Sequence, residues 1–121
     1  MKKLLIFSVL CSLSYCNQIE PKLYFPSSEI LLEDVKLDHD QEVTFEFINK
    51  GMNPLIIENV HSSCKCLISN FPRKKIYHNE RGVIKLLYKA DEIGYHQESI
   101  VIISNDSRKF KIIYISAKVI P

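Results

Sequence analysis

Glu42-Val43-Thr44-Phe45-Glu46-Phe47 alternates polar and apolar residues without a break. In an extended chain successive side chains point to opposite faces, so Val43, Phe45 and Phe47 share one face and Glu42, Thr44 and Glu46 share the other. Such a segment is a half-buried strand, with an apolar face for a core and a charged face for water.

Working outward, Asn49 to Pro54 is dense in turn formers. An apolar run then resumes from Leu55 to Val60, followed by His61-Ser62-Ser63-Cys64-Lys65-Cys66 and a short stretch at Leu67-Ile68. Phe71 to Gly82 reads as a connection in which Ile76-Tyr77 docks on the core. Val83 to Ala90 repeats the alternation, with Ile84, Leu86 and Tyr88 inward and Lys85 and Lys89 outward. Tyr95 to Ser104 holds Ile100-Val101-Ile102-Ile103, apolar on both faces and therefore expected in the middle of a sheet. Asn105-Asp106-Ser107 is a tight turn, so Phe110 to Ile120 should return beside that strand as a hairpin. Upstream, Leu23-Tyr24-Phe25 is an edge segment stopped by Pro26, and Ile30 to Leu32 with Val35 to Leu37 adds one more short strand. Roughly seven short strands with no convincing helix predict an all-β fold, an immunoglobulin-like Greek-key β-sandwich.

The amino terminus is of another kind. Met1-Lys2-Lys3 precedes an apolar run from Leu4 to Leu13, the layout of a secretory leader. The run is about half the roughly twenty residues a spanning helix needs. Leu13-Ser14-Tyr15-Cys16 resembles a bacterial lipobox, in which cleavage precedes a cysteine that then carries lipid. Leu13 and Ser14 fit that pattern, whereas Tyr15 is bulkier than the small residue usual there. The expected organisation is a lipoprotein-type leader over residues 1–15, a tether over 16–22 with Cys16 as the lipidation site, and one domain over 23–121. Ordinary cleavage nearby, leaving Cys16 as a spare thiol, is the alternative. Lys2 and Lys3 would leave with the leader, which balances basic and acidic residues in the remainder. A neutral chain whose one basic run is Arg73-Lys74-Lys75 is a poor match to nucleic acid.

Several consecutive segments then resemble a known bacterial family. They are Phe45 to Gly51, Pro54 to Ile57, Val60 to Cys66, Gly82-Val83-Ile84, Gly94-Tyr95 and Ile100 to Asn105. Their order and spacing are similar to domain-of-unknown-function family 1573 (DUF1573), from about Val43 to Val119. The resemblance implies an immunoglobulin-like sandwich related to the Hydin-like and major sperm protein-like domains. It also implies export, often as a lipoprotein, and leaves the biochemical role open. The family usually carries Gly between its two cysteines and Thr after them, where this chain has Lys65 and Leu67. Glycine permits backbone conformations that lysine disfavours, so a tight turn between the cysteines is the family feature placed in question.

Only Cys64-Lys65-Cys66 invites a chemical hypothesis, and three readings compete. The first is structural: two thiols, or a locally closed disulfide, at a strand end, with strain expected in so small a ring. The second is a soft-metal site in which His61 adds a nitrogen to two sulfurs, with a fourth ligand from elsewhere, such as His78 or His96. The third is a redox pair, with Lys65 lowering a thiol pKa. In an extended segment the two sulfurs would share a face. Asp38-His39-Asp40, Asp91-Glu92 and Asn105-Asp106 look like turn chemistry. No nucleophile elbow, phosphate loop or zinc-protease motif is present in the sequence. The expected function is a non-catalytic protein-binding or scaffold module of the cell envelope. It would take no cofactor and no small-molecule substrate, and would meet a protein partner and, through its lipid, a membrane. The alternative is a redox or soft-metal-handling envelope protein using Cys64, Cys66 and His61.

Overall fold

The computed structural model describes residues 19–121. The leader and Cys16 lie outside the described residues. Eight strands form two four-stranded sheets. They are β1 (Leu23–Tyr24), β2 (Glu29–Lys36), β3 (Gln41–Asn49), β4 (Ile57–Ser62), β5 (Cys66–Asn70), β6 (Arg81–Tyr88), β7 (Gly94–Ser104) and β8 (Phe110–Ile120). One sheet has the order β1-β3-β6-β5 and the other β2-β8-β7-β4. This is the predicted all-β sandwich, with one strand more than expected.

The inward faces follow from alternation. Val43, Phe45 and Phe47 on β3 face Ile100 and Ile102 on β7 and Ile113 and Ile115 on β8 across a single core, with Ile84, Leu86 and Tyr88 of β6 beside them. β7 lies between β8 and β4, as its two apolar faces require, and runs antiparallel to β8 from Gly94↔Val119 to Ile103↔Phe110. Ile76 is buried and pairs with Leu55, while Tyr77 stays exposed. The carboxylates of Glu42 and Glu46 point to water, so Glu42→Ala should change stability by no more than about 0.5 kcal/mol in urea titration.

The first strand changes sheets. β1 pairs antiparallel with β3 through Leu23↔Asn49 and Tyr24↔Ile48. Continuing that register would set Pro26 opposite Glu46 at a position that needs an N–H, which proline lacks. The chain therefore leaves the sheet, driving the Phe25 ring against Phe45 (6.4 Å) and Phe47 (5.8 Å), and resumes as β2. β2 runs parallel to β8, from Glu29↔Tyr114 to Lys36↔Ile120.

Ile30–Leu32 and Val35–Leu37 belong mainly to this one eight-residue strand. A bulge between Leu32 and Val35, with Asp34 at φ 54°, breaks the alternation that the sequence pattern depends on. The apolar run at Leu55-Ile56 likewise precedes β4, which begins at Ile57.

Candidate functional site

Pairing places the strand ends at two poles. One pole gathers Leu23, Asn49, Ile57, Arg81, Ser104 and Phe110. The other gathers Lys36, Gln41, Cys66, Tyr88, Gly94 and Val119. The cysteine motif lies at the second pole, where the segment from β4 to β5 turns sharply. Cys66 N–H donates to Ser63 C=O (3.2 Å), closing a four-residue turn around Cys64 and Lys65. Lys65 keeps a negative φ, so the turn does not require the glycine usual in the family.

That turn separates the two sulfurs. Both thiols are free, but Cys64 is exposed and Cys66 is buried at the start of β5. The shared face expected of an extended segment is absent because the chain is not extended there. Cys66 is wedged beside Tyr88 in the strand register, and Ser62 Oγ donates to its carbonyl. Ser63 Oγ donates to the largely buried Glu98 carboxylate. Burial, reinforced by the Glu98 charge, pushes the Cys66 thiol up to about 12. The same two causes raise the Tyr88 phenol, whose buried hydroxyl has no hydrogen-bond partner among the described residues.

Lys65 turns away from both sulfurs. Its ammonium donates to Asp91 (2.7 Å) and Glu92 (3.3 Å) in the loop after β6. Those contacts, the Asp91 hydrogen bond foremost, hold the ammonium above its ordinary range, and Lys65 in turn lowers Asp91. The lysine staples the cysteine turn to the neighbouring loop. His61 lies on the outer face of β4 with Nε2 3.2 Å from Asn59 Nδ2. His78 Nδ1 contacts the Gly51 carbonyl at the opposite pole, and His96 Nε2 contacts the Glu92 carbonyl. Among the described residues no three His, Cys, Asp or Glu side chains are grouped to hold a metal ion.

The two thiols should therefore differ in solution. Cys64 is expected to react with a thiol reagent in the folded state, whereas Cys66 should react only on unfolding. Ionising Cys66 is easier in the unfolded chain, near pH 9, than in the fold, near 12. Its contribution to stability is therefore constant below about pH 9 and declines between pH 9 and 12. A Cys66→Ala variant with the same alkaline decline would refute that assignment.

A second feature is backbone. Asn49 N–H and C=O pair with Glu80 and Asn79 on the β6 side, whereas Lys50 N–H reaches Lys22 on the β1 side. Alternation then aims the backbone groups of Phe47, Phe45 and Val43 at β6 and those of Glu46, Thr44 and Glu42 at the outer edge. β1 reaches only as far as Ile48, which leaves that edge open from Glu46 to Glu42 among the described residues.

Residues 23–119 match the family model described as a protein of unknown function, DUF1573. The chain belongs to this family. No curated protein matches the DUF1573 chain. Among solved structures it is similar to a protein of unknown function from Porphyromonas gingivalis W83, with TM-score 0.71 and 16% identity over 87% of this chain and 50% of that one. It is also similar to the ASH/PapD-like domain 7 of human CEP192, with TM-score 0.63 and 8% identity over 98% of both chains. A third likeness is to the YadV chaperone, with TM-score 0.59 and 15% identity over 82% of this chain and 52% of that one. The DUF1573 chain thus spans about half the length of the Porphyromonas protein and of YadV. At these identities the likenesses establish an Ig-like, PapD-like fold.

Asn49 escaped the sequence reading. It sits in a run of turn formers, yet its side chain is fully buried. Its Oδ1 accepts from Lys22 N–H (3.1 Å) and Gly51 N–H (2.9 Å), and its Nδ2 donates to the carbonyls of Asn53 and Ile76 (2.9 Å each). One amide thus ties together the segment before β1, the loop after β3 and the β5–β6 connection. The signal was its place at the inward position of the β3 alternation, two residues after Phe47.

Proposed function

We propose that this chain is a non-catalytic protein-binding or scaffold module of the bacterial cell envelope, exported through a leader at residues 1–15 and tethered by lipid on Cys16. The open edge of β3 carries the binding part of this reading. Unpaired N–H and C=O groups at Glu42, Thr44 and Glu46 accept an added strand, a recurrent mode of peptide recognition. The likeness to a chaperone of the same fold is compatible with such a contact. The tethered part rests on the leader layout and on Leu13-Ser14-Tyr15-Cys16.

The redox or soft-metal reading through Cys64, Cys66 and His61 draws less support. A thiol raised to about 12 is protonated at neutral pH and is a poor nucleophile and metal ligand. That reading predicts a lost phenotype in Cys64→Ser with the fold intact; the binding reading predicts none.

The intact mass of the mature protein from its native host reads the cleavage point, the acyl chains and the thiols together. A mass fitting cleavage before Cys16 with acylation is expected, and an unacylated chain would end the tethered reading. Mild crosslinking in intact cells should retain a protein adduct through β3, and recovery of free monomer alone would end the binding reading.

A further inference from the structure

The domain is electrically polarised although its charges nearly cancel. At the cysteine pole the loops carry Asp38, Asp40, Asp91 and Glu92. Of the lysines there, Lys65 and Lys89 are ion-paired, with Asp91/Glu92 and Asp40 respectively, and Lys36 has no ion pair among the described residues. The opposite pole carries Lys22, Lys50, Arg108, Lys109 and Lys111. Among the described residues, the only contact of these cations with a charged or aromatic group is that of Lys50 Nζ, 4.0 Å over the Tyr24 ring. Two acids, Glu20 and Asp106, stand in their midst, and Asp106 is engaged by Leu23 N–H (2.6 Å) and Arg108 N–H (2.9 Å), so its charge serves the backbone.

Lys22, Arg108 and Lys111 line one open cavity of about 330 Å3 with Tyr24 and the two acids Glu20 and Asp106. Three apolar residues of this pole are exposed: Ile19 (51%), Met52 (56%) and Phe110 (60%). Ile19 and Met52 are held to the same pole, because Asn53 N–H donates to the Ile19 carbonyl (2.7 Å) and Gly51 packs against the backbone of Glu20 to Lys22. A Cβ on Gly51 would sit 1.8 Å from the Glu20 carbonyl oxygen, so that close approach demands glycine. Cations interleaved with protruding apolar groups suit the interface of an anionic bilayer, where the charges meet headgroups and the apolar tips enter the acyl boundary. The chain also leads from this pole toward Cys16, three residues before Ile19.

We infer that this basic pole docks on an anionic membrane surface, with lipid phosphate drawn to the cavity between Lys22, Arg108 and Lys111. The membrane then lies against the amino-terminal pole, and the cysteine turn is displayed on the far side, with the open edge of β3 running between. The inference deepens the tethered reading by adding a protein–lipid contact to the covalent one. It is testable without the lipid.

The probe is the chain from residue 16 with Cys16→Ser, which keeps every core residue, mixed with vesicles of phosphatidylcholine alone or with about 30 mol % phosphatidylglycerol. Sedimentation should show at least tenfold tighter binding to the anionic vesicles, lost on raising salt several-fold. K22E/R108E/K111E should weaken it at least tenfold, since each surface cation contributes roughly fivefold, with circular dichroism confirming the fold. Lys89→Glu, at the other pole, should leave binding within about twofold by the same local rule. Equal binding to both vesicle types, no binding to either at low salt, or an undiminished triple variant would each overturn the inference. Saturation by inorganic phosphate with no vesicle binding would overturn it in favour of a free anion. An unacylated native mass refutes the tether and leaves the vesicle result standing, so the two failures are distinguishable.

Discussion

Phe47→Ala should remove about 3–5 kcal/mol of folding free energy, the range for truncating a buried aromatic. Phe47 is fully buried and its ring lies against Phe25 at 5.8 Å. Opposite it, β6 presents Gly82, and an added Cβ there would come within 2.5 Å of the Phe47 ring. The ring thus fills space on two sides, and neither neighbour can collapse into the void without moving backbone. A small domain has about 5–15 kcal/mol in total, so the variant should unfold at a much lower urea concentration with little change in slope. Glu46→Ala, one residue away, removes only an exposed pair with Arg81 (3.0 Å), worth about 0–1 kcal/mol. A larger loss from Glu46→Ala than from Phe47→Ala would mean that the facing of β3 is reversed.

Asn49→Ala should be nearly as damaging, at roughly 3 kcal/mol, because it strands Lys22 N–H, Gly51 N–H and the Asn53 carbonyl and takes one of two bonds from the Ile76 carbonyl, which keeps Leu55 N–H. The loss should be local as well as global. Amides of Lys22 and Gly51 lose their acceptor and should exchange faster than those of β7 under native conditions. Asn49→Asp separates shape from chemistry: it keeps the size but points a carboxylate at the carbonyls of Asn53 and Ile76. It should therefore also destabilise, and a neutral Asn49→Asp would show that the two donated bonds carry nothing. Because Asn49 holds the segment that carries Lys22, the alanine variant should also loosen the basic pole.

The parts of this fold that were readable from residues are those governed by period two. Val43 to Phe47 and Ile84 to Tyr88 alternate cleanly, and their facing follows. Ile100 to Ile103 is apolar throughout, and it lies centrally. Three departures have separate physical causes. The bulge at Asp34 shifts the parity of β2, so one strand looks like two fragments. At Cys64-Lys65 a turn intervenes where the motif looked extended, and exposure then divides the two thiols. Asn49 looks like a turn residue because its type favours turns, whereas its position is set by what the surrounding backbone needs hydrogen-bonded. The polarity of the two ends was hidden for a further reason. Lys22, Lys50 and Arg108 are far apart along the chain, and only strand pairing brings them to one pole. Pro26 is legible once the register of β1 is known, and it determines where the β3 edge opens.

Residue-resolved amide exchange along β3 tests the binding account most directly. In the isolated domain the amides of Glu42, Thr44 and Glu46 should exchange freely, while those of Val43, Phe45 and Phe47 stay protected by β6. In the crosslinked envelope complex the first three should become protected too. Even-numbered amides already slow in the isolated domain, or still fast in the complex, would contradict the claim that β3 offers its backbone edge to a partner.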